Sequence, residues 1–161
     1  MTDFVIAEEP VDSDDVRWCF GRYYAELGQM FDYVVDDALP LGLDELTPPR
    51  GLVLIAREDG EAVGSGALKL HQPGIAEIKR MWVTPRVRGR GLGRRLLEAL
   101  ELAATEAGKS VTRLDSNGQL TAAITMYRSH GYRDIPPFND EPFADHWLEK
   151  DLTANADEVS E

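Results

Sequence analysis

Apolar residues along this chain switch between two spacings, and the switches mark its elements. Phe4, Val5 and Ile6 form a short apolar run that predicts a strand. Asp12 or Ser13 then stands where a helix cap belongs, ahead of Val16, Phe20, Tyr23, Tyr24 and Leu27 at helical spacing. Gly28 is expected to end or interrupt that helix. Residues 30–46 show no period. The run Thr47-Pro48-Pro49-Arg50-Gly51 is a break.

Residues 52–57 then read as a strand, 58–61 as a turn and 62–70 as the hairpin partner. Gln72-Pro73-Gly74 turns the chain into a third strand, 75–83, which Pro85 stops. From Leu92, a stripe of Leu96, Leu97, Leu100, Ala103, Ala104 and Ala107 predicts an amphipathic helix, with Gly108 suited to the position past its end. Residues 111–115 follow as a strand, and 121–130 as a helix closed by Gly131. Residues 132–135 and 144–152 read as two last strands around a Pro-rich loop. Strands first, then strands interleaved with helices, argue for an α/β (α+β) fold: a mixed sheet with helices on its faces. The expected organisation is one domain over residues 1–152 and a small acidic tail over 153–161.

Composition narrows the function. At 43% hydrophobic, the 161 residues can bury a core without staples. Cys19 is the single cysteine, so no internal disulfide forms; it sits in the apolar run Trp18-Cys19-Phe20, which favours a buried thiol over a reactive one. The start, Met1-Thr2-Asp3-Phe4, lacks the basic and apolar regions of a secretory leader, and no apolar run is long enough to cross a bilayer. A cytoplasmic protein without a membrane partner is the expectation, and a homodimer stays open. The net charge of -12 argues against general nucleic-acid binding, which needs a basic surface. It would tolerate cationic small substrates, although solubility alone explains acidity as well.

Against that acidity, Lys79, Arg80, Arg86, Arg88, Arg90, Arg94 and Arg95 hold seven of the 17 basic residues, with no acidic residue among them. Several stand at a predicted helix N-terminus, where the macrodipole disfavours cations. An anion held between them and the helix would reverse that balance. Gly89, Gly91 and Gly93 alternate in Arg88-Gly89-Arg90-Gly91-Leu92-Gly93, letting backbone N–H groups approach such an anion closely. Free N–H groups, a positive dipole and guanidinium forks describe a phosphate cradle. It is not a P-loop, because Gly93 is followed by Arg94-Arg95. Nor is it a dinucleotide fingerprint, whose third glycine position holds Arg94.

Residues 75–97, centred on Arg88-x-x-Gly91-x-Gly93, resemble motif A of the GNAT superfamily of N-acetyltransferases. Residues 121–132, with Ala123-Ile124-Thr125-Met126-Tyr127 and then Gly131-Tyr132, resemble its motif B. The resemblance covers the chain after Pro49 and, more loosely, the first helix. It implies a single-domain GNAT fold with a mostly antiparallel sheet and helices on both faces. It implies acetyl-CoA as cosubstrate, bound in a V-shaped gap between strands 75–83 and 111–115, and a primary amine as acceptor; a small-molecule amine is the expected partner, with amino acids, polyamines, aminoglycosides and protein N-termini all open. Backbone at Met81, Trp82 and Val83 would pair with the pantetheine arm. Backbone of Arg88, Gly89, Arg90, Gly91, Leu92, Gly93 and Arg94 would hold the pyrophosphate. Asn117 and Ala123 would contact the coenzyme from across the gap. Tyr132 stands where Phe is commoner and Trp82 where Tyr is, and helix 121–130 has no asparagine, which puts the role of Asn117 in doubt.

Acyl transfer to an amine needs a proton acceptor for the amine, a donor for the carbonyl oxygen and a proton for the departing thiolate. The resemblance makes a strand N–H near Trp82 or Val83 the oxygen donor and Tyr127 the acid; otherwise Tyr127 is a packed helix tyrosine. Glu77 alternates with Ile78 and faces the opposite side of the strand. Two readings of it stand: general base, or structural partner of Lys79. His71 and His146 are fallback bases. The loop Pro136-Pro137-Phe138-Asn139, with Trp147 beyond it, would approach the acceptor, and Tyr23, Tyr24 and Tyr33 would line the other side. No metal-ligand spacing is present. A coenzyme-binding sensor without turnover, or an acyltransferase acting on longer chains or protein amines, are the rival readings.

Overall fold

The structure is a computed structural model that describes residues 3–31, 44–141 and 144–153. Tyr33 and the tail beyond Thr153 lie outside the described residues. The elements are β1 (Val5–Glu9), α1 (Asp14–Phe31), β2 (Gly51–Glu58), β3 (Glu61–Lys69), β4 (Ile75–Val83), a short 3-10 turn (Pro85–Val87), α2 (Leu92–Glu106), β5 (Val111–Ser116), α3 (Thr121–Ser129), β6 (Arg133–Asp134) and β7 (His146–Asp151). The seven strands form one sheet in the order β1-β2-β3-β4-β5-β7-β6. Every neighbouring pair is antiparallel except β4 and β5.

Ser13, not Asp12, caps α1: its Oγ accepts from the Val16 N–H at 3.2 Å and its carbonyl from Arg17 at 3.1 Å. The helix runs straight through Gly28. Glycine ends a helix where the chain needs a left-handed residue, and Gly28 is not left-handed. β1 begins at Val5 and extends through Glu8 and Glu9, because an edge strand carries polar residues that face water. β6 shrinks to Arg133 and Asp134, paired only with Glu149 and Leu148.

One sheet face carries Val53, Ile55, Ala67 and Trp82, which bury Val16, Cys19 and Phe20 of α1. The other carries Leu52, Leu54, Leu68, Ala76, Ile78, Leu114 and Leu148 under Leu97 and Leu100 of α2 and Tyr127 of α3. Each fully buried leucine contributes roughly 1.5–3 kcal/mol. The sequence periods decide the layers: period two on the strands, and the Leu96-Leu97-Leu100-Ala104 stripe on α2. A Cβ at Gly93 would stand 3.3 Å from Met126 Sδ, so α2 starts beside α3.

Candidate active site

β4 and β5 pair for only three residues: Ile75 with Val111, Ala76 with Thr112 and Glu77 with Arg113. Beyond Glu77 the strands diverge, although β4 continues to Val83 and β5 to Ser116. The divergence has a local cause. Ser65 pairs with Trp82, but Ala67 pairs with Lys79, so β4 carries one extra residue opposite Gly66. Arg80 takes up the extra residue in a left-handed conformation, φ 54°. That strain is on the order of 1–3 kcal/mol for a residue with a Cβ. Ser65 Oγ donates to the Arg80 carbonyl at 3.2 Å, and Arg80 Nε donates to the Tyr24 hydroxyl at 2.9 Å.

The divergence leaves one edge of β4 open. The Thr84 N–H donates to Val63 of the β3 side at 2.8 Å. Backbone groups alternate along a strand, so those of Val83, and of Met81 one pleat back, face the gap. The Trp82 side chain is buried in the α1 layer, edge-on to Trp18 at 5.6 Å, with its indole N–H on Glu26.

At the wide end of the gap, Gly91 caps α2 in a left-handed conformation, φ 83°, with no side-chain cap. Arg95 is the first residue of the helix to bond back, to the Gly91 carbonyl at 3.2 Å. The N–H groups of Leu92, Gly93 and Arg94 have no acceptor among the described residues. They are a ready anion site with the helix dipole behind them. The arginine side chains differ from the expected forks. Arg88 pairs with Glu26 at 2.6 Å and donates through Nε to the Val83 carbonyl at 2.9 Å. Arg90 pairs with Glu58, and Arg95 donates to the Phe4 carbonyl at 3.0 Å and pairs with Asp3. Arg94 is exposed and has no partner among the described residues. The groups left without partners among the described residues are therefore these backbone N–H groups and Arg94, while Arg88 and Arg90 brace the loop.

Across the gap, Asn117 precedes α3; its side-chain oxygen accepts from the Gln119 N–H at 2.8 Å. Ala123 is half-buried against the α2 layer. Tyr127 is buried, edge-on to Tyr132 at 5.8 Å, and its hydroxyl has no hydrogen-bond partner among the described residues. Burial and then the charge of Asp115 push its phenol above the ordinary tyrosine range, so it stays protonated. Burial does the same to Tyr23, followed by the influence of Tyr24, Tyr127 and Asp115. Tyr23 of α1, Tyr127 of α3 and Asp115 of β5 thus lie close enough to feel one another through the gap.

Glu77 is 8% exposed and lies on the α1 face. Lys79 Nζ is 3.0 Å from Glu77 Oε1 and 3.3 Å from Asp115 Oδ2. Burial opposes the Lys79 charge, but Asp115 and Glu77 outweigh it and hold the ammonium above its usual range. Asn139 donates to Asp115 at 2.8 Å and accepts from the Trp147 indole at 2.9 Å, so the Pro-rich loop does reach this face. Phe138 lies under the Arg113 guanidinium at 4.0 Å. His146 pairs with Ser116 at the open end. His71 stands exposed at the turn before β4, the closed end, and is not brought to the gap.

Asp115, Ser65 and Glu26 were not singled out from the sequence. Gly64-x-Gly66 inside a strand was the available signal for the bulge. Nothing local marked Asp115 or Glu26, whose partners lie 36 and 62 residues away. Among the described residues, no group of three or more His, Cys, Asp or Glu is placed to hold a metal, and no helix is long and apolar enough to cross a membrane.

The acetyltransferase (GNAT) domain family matches residues 49–134. An IAA acetyltransferase of Azospirillum brasilense is 35% identical over 139 residues, covering 86% of this chain and 90% of its own. An aminoalkylphosphonate N-acetyltransferase of Salmonella typhimurium is 33% identical over 84 residues, covering 49% of this chain and 54% of its own. The structure of a GNAT family acetyltransferase from Elizabethkingia anophelis with acetyl-CoA bound has a TM-score of 0.65 at 17% identity, covering 92% of this chain and 98% of its own; that likeness concerns the fold.

Proposed function

The chain belongs to the GNAT family of acetyltransferases, and we propose that it transfers an acetyl group from acetyl-CoA to the primary amine of a small molecule by direct attack. The observation that carries this reading is the open β4 edge leading to the unpaired N–H groups of α2. A strand edge suits the amides of a pantetheine arm, and a helix N-terminus suits a pyrophosphate. The residues present therefore fit the coenzyme.

Met81 and Val83 supply the strand backbone that faces the gap; the backbone groups of Trp82, between them, turn to β3 instead. The segment Arg88, Gly89, Arg90, Gly91, Leu92, Gly93 and Arg94 supplies the phosphate cradle. Asn117 and Ala123 form the opposite wall. Acetyl-CoA contributes an activated thioester. Glu77, directly or through a water, takes the proton that the amine loses as the N–C bond forms. A strand N–H near Val83 faces the oxygen that gains charge. The C–S bond breaks, and Tyr127 gives its proton to the departing thiolate. Burial suits Tyr127 to that role, because its phenol is neutral at pH 7 and its hydroxyl is not committed elsewhere.

The small-amine acceptor is supported by the polar groups brought together beside the gap, Glu77, Lys79, Asp115 and Asn139, and by the Salmonella relative named for an aminoalkylphosphonate. A thiol-release screen of the purified protein with acetyl-CoA against amino acids, aminoalkylphosphonates, polyamines and N-terminal peptides tests the proposal. Release of CoA thiol with a small amine supports it. Thermal stabilisation by acetyl-CoA without release from any amine would make the protein a coenzyme sensor, and release with peptides alone would make it a protein acetyltransferase.

A further inference from the structure

We propose that Asp115 binds the acceptor as an ammonium ion, and that this carboxylate makes the enzyme select cationic amines. The inference rests on the acetyltransferase reading above. Asp115 lies on the part of β5 that has parted from β4, on the sheet face shared with Tyr23 and Tyr24. Two groups fix it, and both use the same oxygen: Lys79 Nζ at 3.3 Å and Asn139 Nδ2 at 2.8 Å, each on Oδ2. Asn139 is itself held by Trp147. The other oxygen, Oδ1, has no donor among the described residues. Glu77 repeats the arrangement, with Oε1 on Lys79 and Oε2 without a donor among the described residues.

Lys79 thus sits between two carboxylates and leaves each with one oxygen still to satisfy. The Asp115 side chain is only 14% exposed and Glu77 11%. A carboxylate in a side chain this little exposed, with one oxygen still reachable from solvent, gains most from a charged donor. A primary ammonium has three N–H groups. One can meet Asp115 Oδ1 while another faces Glu77, which takes the proton when the amine turns nucleophile. Alkylamines are mostly protonated at neutral pH, so a site that binds the ammonium first and removes its proton second works on the abundant species. The -12 net charge favours the same arrivals.

Two nucleophiles separate this role from a structural one. Propylamine is an ammonium ion at neutral pH, whereas hydroxylamine is largely neutral. For each, kcat/KM with saturating acetyl-CoA is measured in wild type and Asp115→Asn, after subtraction of the uncatalysed rate. The variant should lose about tenfold or more with propylamine, the scale of a lost charge-assisted hydrogen bond, and little with hydroxylamine. Asn139→Ala, which removes the brace without the charge, should raise KM for propylamine with kcat retained, and it serves if Asp115→Asn does not fold. Equal losses for both nucleophiles would overturn the assignment, as would an unchanged propylamine KM in a folded Asn139→Ala protein. A wild-type protein that is stabilised by acetyl-CoA yet releases thiol with neither probe nor any amine of the screen above would instead overturn the acetyltransferase reading and this inference with it.

Discussion

Ser65 Oγ and the Arg80 carbonyl oxygen lie 3.2 Å apart, and this bond pins the one left-handed residue of β4. The bulge it stabilises lets β4 part from β5 while keeping its pairing with β3. Ser65 is fully buried, so Ser65→Ala loses the bond without relief from water. A loss of about 1 kcal/mol in stability is expected. Because the bulge sets the aim of Met81 and Val83, affinity for acetyl-CoA should fall as well, by calorimetry. Unchanged affinity in the destabilised variant would show that the bulge is held by other contacts.

Gly66→Ala acts on the same bulge from the other strand. A Cβ there would stand 2.7 Å from Leu100 Cδ1 and 3.1 Å from Met81 Sδ. Overpacking of this kind costs about 1–3 kcal/mol. Urea denaturation should show that loss, and an unaltered midpoint would mean that Leu100 and Met81 shift freely.

At the phosphate loop, Gly91→Asp tests charge rather than packing. The Gly91 Cβ position is open, with nothing within 4 Å, but φ is 83°. Aspartate tolerates that conformation better than most residues. The variant should therefore fold, while its charge meets the phosphates at the N-terminus of α2. The thermal shift produced by acetyl-CoA, a mass-action effect, should disappear. A folded variant that keeps the shift would move the pyrophosphate elsewhere.

The features legible in the sequence are the ones with local causes. The period-two strands, the leucine stripe of α2 and the glycines around Arg88 each act within a few residues, and β4 and α2 begin where their patterns begin. Gly28 misled because glycine permits a helix end without requiring one. The site's charges were legible only as a cluster. Arg88 looked like a phosphate ligand by its neighbours, yet its partner Glu26 lies on α1. Lys79 could be paired with Glu77 by strand alternation, but its second partner, Asp115, comes from β5 across a parallel crossover that carries no local signal.

Cys19 gives a pH prediction of its own. The thiol is buried, donates weakly to the Gly64 carbonyl at 3.8 Å, and burial pushes it up to about 12 from 9.0. Labelling by a thiol reagent should be slow in the native protein and fast in urea. The sign for stability follows from proton counting. Between pH 9 and 12 the unfolded chain has lost a proton that the folded chain keeps, so stability is full below that window and falls as pH rises through it. By pH 10 the loss is about 1 kcal/mol, and it should be missing in Cys19→Ala. Fast native labelling would mean that the α1 layer opens readily.

Glu77→Gln keeps size and hydrogen-bonding shape while removing the proton acceptor. If Glu77 is the base, the acidic limb of the kcat/KM profile should vanish and the rate should drop by about 10²–10⁴. Lys79 keeps Asp115 as a partner at 3.3 Å, so the fold should survive. An unchanged profile would leave Glu77 as a structural partner of Lys79.

Tyr127→Phe separates chemistry from binding. The ring packs on Tyr132 and in the α2 layer, and the phenylalanine ring can keep those contacts. The hydroxyl has no partner among the described residues, so its removal leaves no orphaned group among them. The fold and the dissociation constant for acetyl-CoA should therefore stay near their original values. If the phenol protonates the departing thiolate, its loss is felt in the transition state alone. The kcat value should fall by roughly 10²–10⁴-fold. Burial and Asp115 hold the phenol above its usual range near ~10. Tyr127 therefore stays protonated throughout neutral and mildly alkaline pH, and a loss of activity below pH ~10 must come from another group. Product release can mask the effect on kcat, so single-turnover rates are the decisive measurement. Wild-type single-turnover rates in Tyr127→Phe would return the tyrosine to the core and leave the thiolate to take its proton from water.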